Sequence, residues 1–296
     1  MALHRAVGLA SQDPEARVLL ATFNTGLAQG LSGKLDGLAT GGTDVRARIT
    51  VDTLGSVAKR LAADVLGYVA IASGSEVEAL LDETARTTKT SVDQDFLKDE
   101  WRLIVDAWDV RDGDIYRDLP RLGWKIRMAT SRRDELWTIF ERVRRALQAQ
   151  EKETEAGLMH RLCHEMTQAP FTHVIFDEAQ DISVPELHLL AAIAGDRPNG
   201  LFFAGDIRQR IFRSAFPWKA AGVDVQGRSR SLKVNYRTFH QNRTKSDLLL
   251  PPRLLEADGG EDSRLGVSSI FHGPLPRIQI FDSPAGNPPI SNGVHS

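Results

Sequence analysis

The feature that most constrains this chain is the run Val174-Ile-Phe-Asp-Glu-Ala-Gln-Asp181, where three apolar residues lead straight into two adjacent acids, an amide and a third acid. A short apolar run of this kind reads as a strand buried on both faces, as in a parallel sheet covered by helices. Acids that follow such a strand sit at the carboxyl edge of the sheet, where open α/β folds bind ligands. Asp177 and Glu178, side by side, are of the types that can divide nucleotide hydrolysis, one holding Mg²⁺ and the other activating water. On these eight residues alone the plainer reading also stands, in which the acids close a loop on an ordinary α/β domain.

The surrounding pattern supports a parallel α/β core. Ala2, Leu3, Ala6, Val7 and Ala10 recur at helical spacing, so the chain opens in or near a helix that Pro14 breaks. Strands are expected at residues 17–23, 48–51, 172–176, 200–204 and 231–234, with a further one at 277–281. Helices are expected through Leu27 and Leu31 and over residues 56–70. Ser183-Val-Pro-Glu186 is a capping box with Pro in the first turn, a strong helix start, and that helix should stop at Gly195. Residues 75–155 show amphipathic helices and no clear strand. The best of them, residues 132–150, carries Leu136, Phe140, Val143 and Leu147 on one face. Alternating strands and helices around a helical insertion predict a parallel sheet. Residues 284–296 are Pro-rich and patternless and are expected to hold no fixed structure.

Composition excludes some classes. Hydrophobic residues make up 42% and charged residues 26% of the 296, ordinary values for a globular chain. Cys163 stands alone, so no disulfide framework or Cys-based metal site is available, and the eight His show no ligand spacing. No apolar run reaches membrane length and no signal peptide opens the chain, so a cytoplasmic location is expected. The net charge of −2 does not argue for nucleic acid, but local charge does. Residues 205–245 hold ten Lys/Arg against two acids, and residues 117–145 hold nine against four. Such clusters mark a phosphate-bearing partner or a solvated face balanced by acids from elsewhere.

Asp-Glu-Ala-Gln-Asp on a strand resembles the Walker B motif (motif II) of the UvrD/Rep-type superfamily 1 DNA helicases. Four more segments resemble that family in the same order. Leu19-Leu-Ala-Thr-Phe-Asn24 resembles motif Ia, Gly205-Asp-Ile-Arg-Gln-Arg-Ile-Phe212 motif III, and Val234-Asn-Tyr-Arg-Thr238 motif IV. Arg121-Leu-Gly-Trp124, with Leu136-Trp137 and Phe140-Glu141, resembles part of the family's helical insertion. The resemblance spans roughly residues 1–282. It implies a P-loop NTPase (RecA-like) parallel sheet core with an inserted helical domain, incomplete at both ends. Residues 1–71 and 166–238 would form the first RecA-like domain, 72–165 the insertion, and 239–296 the start of a second RecA-like domain with a tail.

The resemblance also implies an ATP-dependent helicase or translocase that uses ATP and Mg²⁺ on single-stranded DNA. By it, Asp177 would hold Mg²⁺ through water and Glu178 would be the general base. Gln209 would sense the γ-phosphate, Arg237 would act as an arginine finger, and Tyr236 would stack on adenine. Thr22, Phe23, Asn24, Phe212 and Trp218 would meet single-stranded DNA, the aromatics by stacking. Core packing accounts for Trp218 about as well. Arg208, Arg210, Arg213 and Lys219 would contact phosphates. At Val51-Asp-Thr-Leu-Gly-Ser56 the family's aromatic-His pair is replaced by Leu54 and Gly55, so no DNA contact is carried over there. Movement in the 3′-to-5′ direction, often in repair, is the family's habit, and no residue here determines it.

The sequence has no Gly-x-x-x-x-Gly-Lys-Ser/Thr, the loop that cradles phosphates in this family, and no motif V or VI. Its opening helix looks like the one that directly follows such a loop. Two expectations follow. One is a piece of a helicase whose phosphate cradle comes from missing segments or a protein partner. The other is a non-enzymatic DNA- or partner-binding module that keeps the core shape.

Overall fold

The computed structural model describes residues 1–39, 43–90, 92–119, 128–206, 218–225, 227–230, 232–236, 238–248, 253–255, 261–263 and 268–276. The chain divides into two compact units, residues 1–228 with 255–260, and residues 229–254 with 261–296.

In the first unit, four parallel strands form one sheet in the order β2-β1-β5-β6, where β1 is Val18–Thr22, β2 Ile49–Thr53, β5 His173–Phe176 and β6 Leu201–Phe203. All five residues of β1 are buried, as a central strand covered on both faces requires. The period-2 alternation of strands sorts the side chains into two cores. Val18, Leu20 and Ile175 meet Ala2, Leu3, Ala6 and Ala10 of α1 (Ala2–Gln12) and Leu35 of α2 (Thr25–Leu38). Leu19, Ala21, Val174 and Phe176 face the other way. There they join Val57 and Ala58 of α4 (Leu54–Val65), Leu158 and Leu162 of α9 (Glu155–Glu165), and Leu187 and Leu190 of α10 (Val184–Ala194). A short helix α3 (Thr43–Ala47) precedes β2.

Local signals set the helix ends. Ser183 N–H donates to Glu186 Oε2 (2.7 Å), and α10 closes at Gly195 with φ +65°, so the capping box and the glycine stop both stand as read. Helix α4 starts earlier and stops earlier than the periodicity predicts. Thr53 caps it, its Oγ1 accepting from Ser56 N–H (3.2 Å), and Gly67 at φ +75° turns the chain soon after Val65.

Residues 72–147 build a third apolar core of their own. Helices α5 (Gly74–Thr88), α6 (Gln94–Glu100), α7 (Gly113–Asp118) and α8 (Thr130–Ala149) supply it, with a π-helical turn at Trp101–Val105. Leu136, Phe140, Val143 and Leu147 of α8 are all buried in it, together with Ile139. The reading of residues 75–155 as free of strand needs one correction. Lys152–Glu153 (β4) pairs in parallel with Ala70–Ile71 (β3), and Ala72 N–H donates to Glu153 O (2.8 Å). Two-residue strands have no period to read in a sequence.

Beside this pair lies Asp106. Burial drives its carboxyl up to about 6, opposed by a hydrogen bond from Thr154 Oγ1 (2.7 Å) and the Arg144 guanidinium, and reinforced by Asp109 and Glu153. Between about pH 4 and that raised value the folded chain therefore binds more protons than the unfolded one, so stability falls as pH climbs through the window. Asp106→Asn keeps an acceptor for Thr154 and is expected to flatten that slope, gaining on the order of 2 kcal/mol at neutral pH. Urea unfolding at about pH 4 and about pH 7 checks this. A slope equal to wild type would count against the assignment.

The second unit contains helix His240–Asp247 and a parallel pairing of Val234–Asn235 with Ser268–Ser269. The strand expected over 231–234 thus begins later, and Ser268 N–H donates to Lys233 O (2.8 Å). The strand expected at 277–281 and the tail at 284–296 lie outside the described residues.

Candidate active site

Strand β5 delivers Asp177 and Glu178 to the carboxyl edge of the sheet. Asp177 N–H still donates to Ala21 O of β1 (2.9 Å), so the ladder runs one residue past the strand. At Glu178 the backbone turns left-handed (φ 62°, ψ 42°) and the ladder ends. That conformation costs a non-glycine residue about 1–2 kcal/mol and is held only where surroundings enforce it. A single 3₁₀ turn, Ala179–Asp181, follows, and Ala179 N–H donates to Ala204 O (2.8 Å) just beyond β6.

Both acids are half-buried. Burial raises the Asp177 carboxyl above its ordinary value, the adjacent Glu178 carboxylate adds to the rise, and a hydrogen bond from the backbone at Glu178 opposes it. A carboxylate disfavoured in this way gains from a divalent cation. No cluster of three His, Cys, Asp or Glu occurs among the described residues. Mg²⁺ does not need one, since it keeps several waters and takes one or two carboxylates alongside substrate phosphates. Hard oxygen donors are at hand. Thr22, the residue after Ala21, is fully buried, and its Oγ1 has no hydrogen-bond partner; the same holds for Asp181 Oδ1.

The sequence placed Gln180 in the motif without giving it a role. In the structure its Nε2 donates to Glu178 Oε2 (2.8 Å), and its Oε1 accepts from Asp206 N–H (3.2 Å). Gly205 makes this approach possible. A Cβ there would lie 2.7 Å from Gln180 Oε1 and 2.8 Å from Ala179 N. The sequence signal for it was the Gly-Asp pair directly after a strand.

The motif Ia residues cluster at the end of β1. Phe23 packs edge-on against Phe176 (centroids 5.1 Å, 79°), and Asn24 caps α2 by accepting from Leu27 N–H (2.8 Å). Trp218 is 5% exposed and stands edge-on to Phe203 at 4.5 Å, so of the two roles open to it the structure displays packing, with no free ring face for a base. Lys219 lies 3.6 Å from Asp224 in an exposed ion pair. Tyr236, in the second unit, is 68% exposed. Gln209, Phe212, Arg208, Arg210, Arg213, Arg237 and the 121–124 segment lie outside the described residues. One cavity of about 1420 Å³, lined in part by Ile71, Leu81, Trp101, Met159 and Ile182, touches neither Asp177 nor Glu178.

Residues 10–224 match the family described as the UvrD/REP helicase N-terminal domain. The chain belongs to the UvrD/REP helicase family. One relative in that line is an ATP-dependent helicase/nuclease subunit of Lactobacillus johnsonii (strain CNCM I-12250 / La1 / NCC 533), 30% identical over 109 residues, which is 34% of this chain and 9% of that protein. The chain thus matches only a small part of that relative's length. Asp177, Glu178, Gln180 and Gly205 fall inside the UvrD/REP match, and Tyr236 and Arg237 fall beyond it. Among the described residues no helix is long and apolar enough to cross a membrane.

Proposed function

We propose that this UvrD/REP chain serves ATP-dependent movement on single-stranded DNA, with the β5 edge as the water-activating half of the nucleotide site. The observation that carries this reading is the pair Asp177–Glu178 at the carboxyl edge of a parallel sheet, with Glu178 held in a left-handed backbone and its carboxylate fixed by Gln180. In this reading Asp177 would hold Mg²⁺, which would supply charge neutralisation at the phosphates. Glu178 takes the proton of the attacking water. Gln209 and Arg237 engage the γ-phosphate, and Tyr236 stacks on the adenine. Residues 1–71 and 166–238 form the first RecA-like domain, 72–165 the inserted helical domain and 239–296 the start of a second. On the DNA side, Phe23 and Phe212 offer ring faces, Asn24 a polar contact, and Arg208, Arg210 and Arg213 phosphate contacts, whereas Thr22 is fully buried and out of a DNA strand's reach.

ATP binding in this family calls for a Gly-rich Lys-Ser/Thr loop, and these 296 residues have none. The 296-residue polypeptide by itself is therefore expected to bind MgATP weakly and hydrolyse it negligibly. A DNA-stimulated turnover near 1 s⁻¹ or above, of the order typical for enzymes, would overturn that expectation. The functional reading is tested on the protein isolated intact from its own cell. DNA-stimulated ATP hydrolysis there supports a motor. Salt-sensitive DNA binding without hydrolysis supports the second reading, a DNA- or partner-binding module built on the helicase core.

A further inference from the structure

We propose that Gln180 is a positioning residue that ties the Glu178 carboxylate to the backbone of the loop leaving β6. The inference rests on the reading of Glu178 as general base. A glutamine side chain offers one donor end and one acceptor end, and here each is used on a different element. Its Nε2–H meets Glu178 Oε2 at 2.8 Å, and its Oε1 receives Asp206 N–H at 3.2 Å. The partners leave no freedom in which end is which, because a carboxylate only accepts and a backbone N–H only donates.

The support around the link is rigid. The 3₁₀ turn that carries Gln180 is pinned by Ala179 N–H to Ala204 O (2.8 Å), and Ala204 N–H is pinned to Phe176 O (2.9 Å). Gly205 lies so close that a Cβ would come within 3.0 Å of Gln180 N as well as 2.7 Å of its Oε1. The loop after β6 therefore cannot shift by much without moving the Gln180 amide, and the amide cannot move without releasing Glu178. Such a link makes the aim of the base depend on where the 205–206 backbone sits. A neutral amide does this without bringing a second charge to the base, whereas a carboxylate at the same position would repel it.

The test separates the two ends of the link. Amide hydrogen exchange at Asp206 is read in the folded 296-residue chain, which needs no turnover. Gln180→Ala is expected to speed it about two- to tenfold, the loss of one hydrogen bond. Gln180→Glu keeps an acceptor but loses the donor that anchors it to Glu178, so it should speed exchange by less than Gln180→Ala does. Glu178→Ala should also speed it, because the amide then loses its anchor, an effect that mere local packing by Gln180 would not produce. In the intact protein, Gln180→Ala and Gln180→Glu should both lower kcat for ATP hydrolysis about tenfold or more with KM for ATP unchanged, as lost alignment of a catalytic group does. Unchanged Asp206 exchange in Gln180→Ala and Glu178→Ala overturns the link, as does a rise in KM with kcat intact. Persistence of hydrolysis in Glu178→Gln instead sinks the assignment of the base, and the exchange result then stands by itself.

Discussion

Glu178→Gln is expected to reduce ATP hydrolysis by the intact protein about 10²–10⁴-fold, the usual contribution of a positioned general base. The substitution is isosteric. Its amide oxygen still accepts from Gln180 Nε2, so the local turn keeps its shape while the proton acceptor is lost. Glu178 is only half-buried, so thermal stability should hold within the small range of surface substitutions. Binding to single-stranded DNA should also persist, because the DNA candidates Phe23 and Asn24 are separate side chains at the end of β1. Steady-state hydrolysis, melting temperature and DNA affinity measured on one preparation decide the matter. Hydrolysis within a few-fold of wild type would remove Glu178 from the chemistry and favour the non-motor module, for which this substitution should change nothing.

Phe140→Ala is expected to destabilise the helical layer by about 3–5 kcal/mol, the range for emptying a buried aromatic site. Phe140 has no exposed surface, meets Tyr116 edge-on at 5.6 Å and leans on Trp101 at 5.8 Å. Tyr116 is itself fully buried, with its hydroxyl donating to Glu100 Oε1 (2.7 Å), so it cannot swing into the space left behind. Trp101, Trp108 and Trp137 all belong to or pack on this core and make tryptophan fluorescence its natural reporter. An unfolding free energy from urea titration that falls by less than about 1 kcal/mol would show that the core repacks freely and that Phe140 is not its centre.

The parts of the fold legible in the sequence were those written in a short period. The apolar run into Asp177 and the apolar run at 18–21 gave strands, and the stripe of Leu136, Phe140, Val143 and Leu147 along α8 gave its buried side. Capping chemistry at Ser183 and Glu186 was local and therefore readable. Pairing of β3 with β4 was not, because two residues carry no period and their partners lie far apart along the chain. The π-helical turn at Trp101–Val105 was equally silent, since its side chains read as ordinary helix. At the site, the acids were visible because chemistry restricts their type. The Gln180 link was invisible because it depends on how closely Gly205 approaches the 3₁₀ turn, a distance that only the folded sheet sets.

The short β3–β4 pairing has a consequence for chain length. The helical excursion leaves the core after Ile71 and returns at Lys152, one strand spacing away, about 4.8 Å. The entropy of closing such an excursion grows only logarithmically with its length, about 0.6 kcal/mol for each doubling. Helices can thus be lengthened, shortened or added between residues 72 and 151 at little cost to the rest of the chain, as long as the two ends still meet and Asp106 and Ala107 keep their contacts with Thr154 and His160. This gives the fold room to vary its outer layer while the carboxyl edge of the sheet, where Asp177 and Glu178 sit, keeps one geometry.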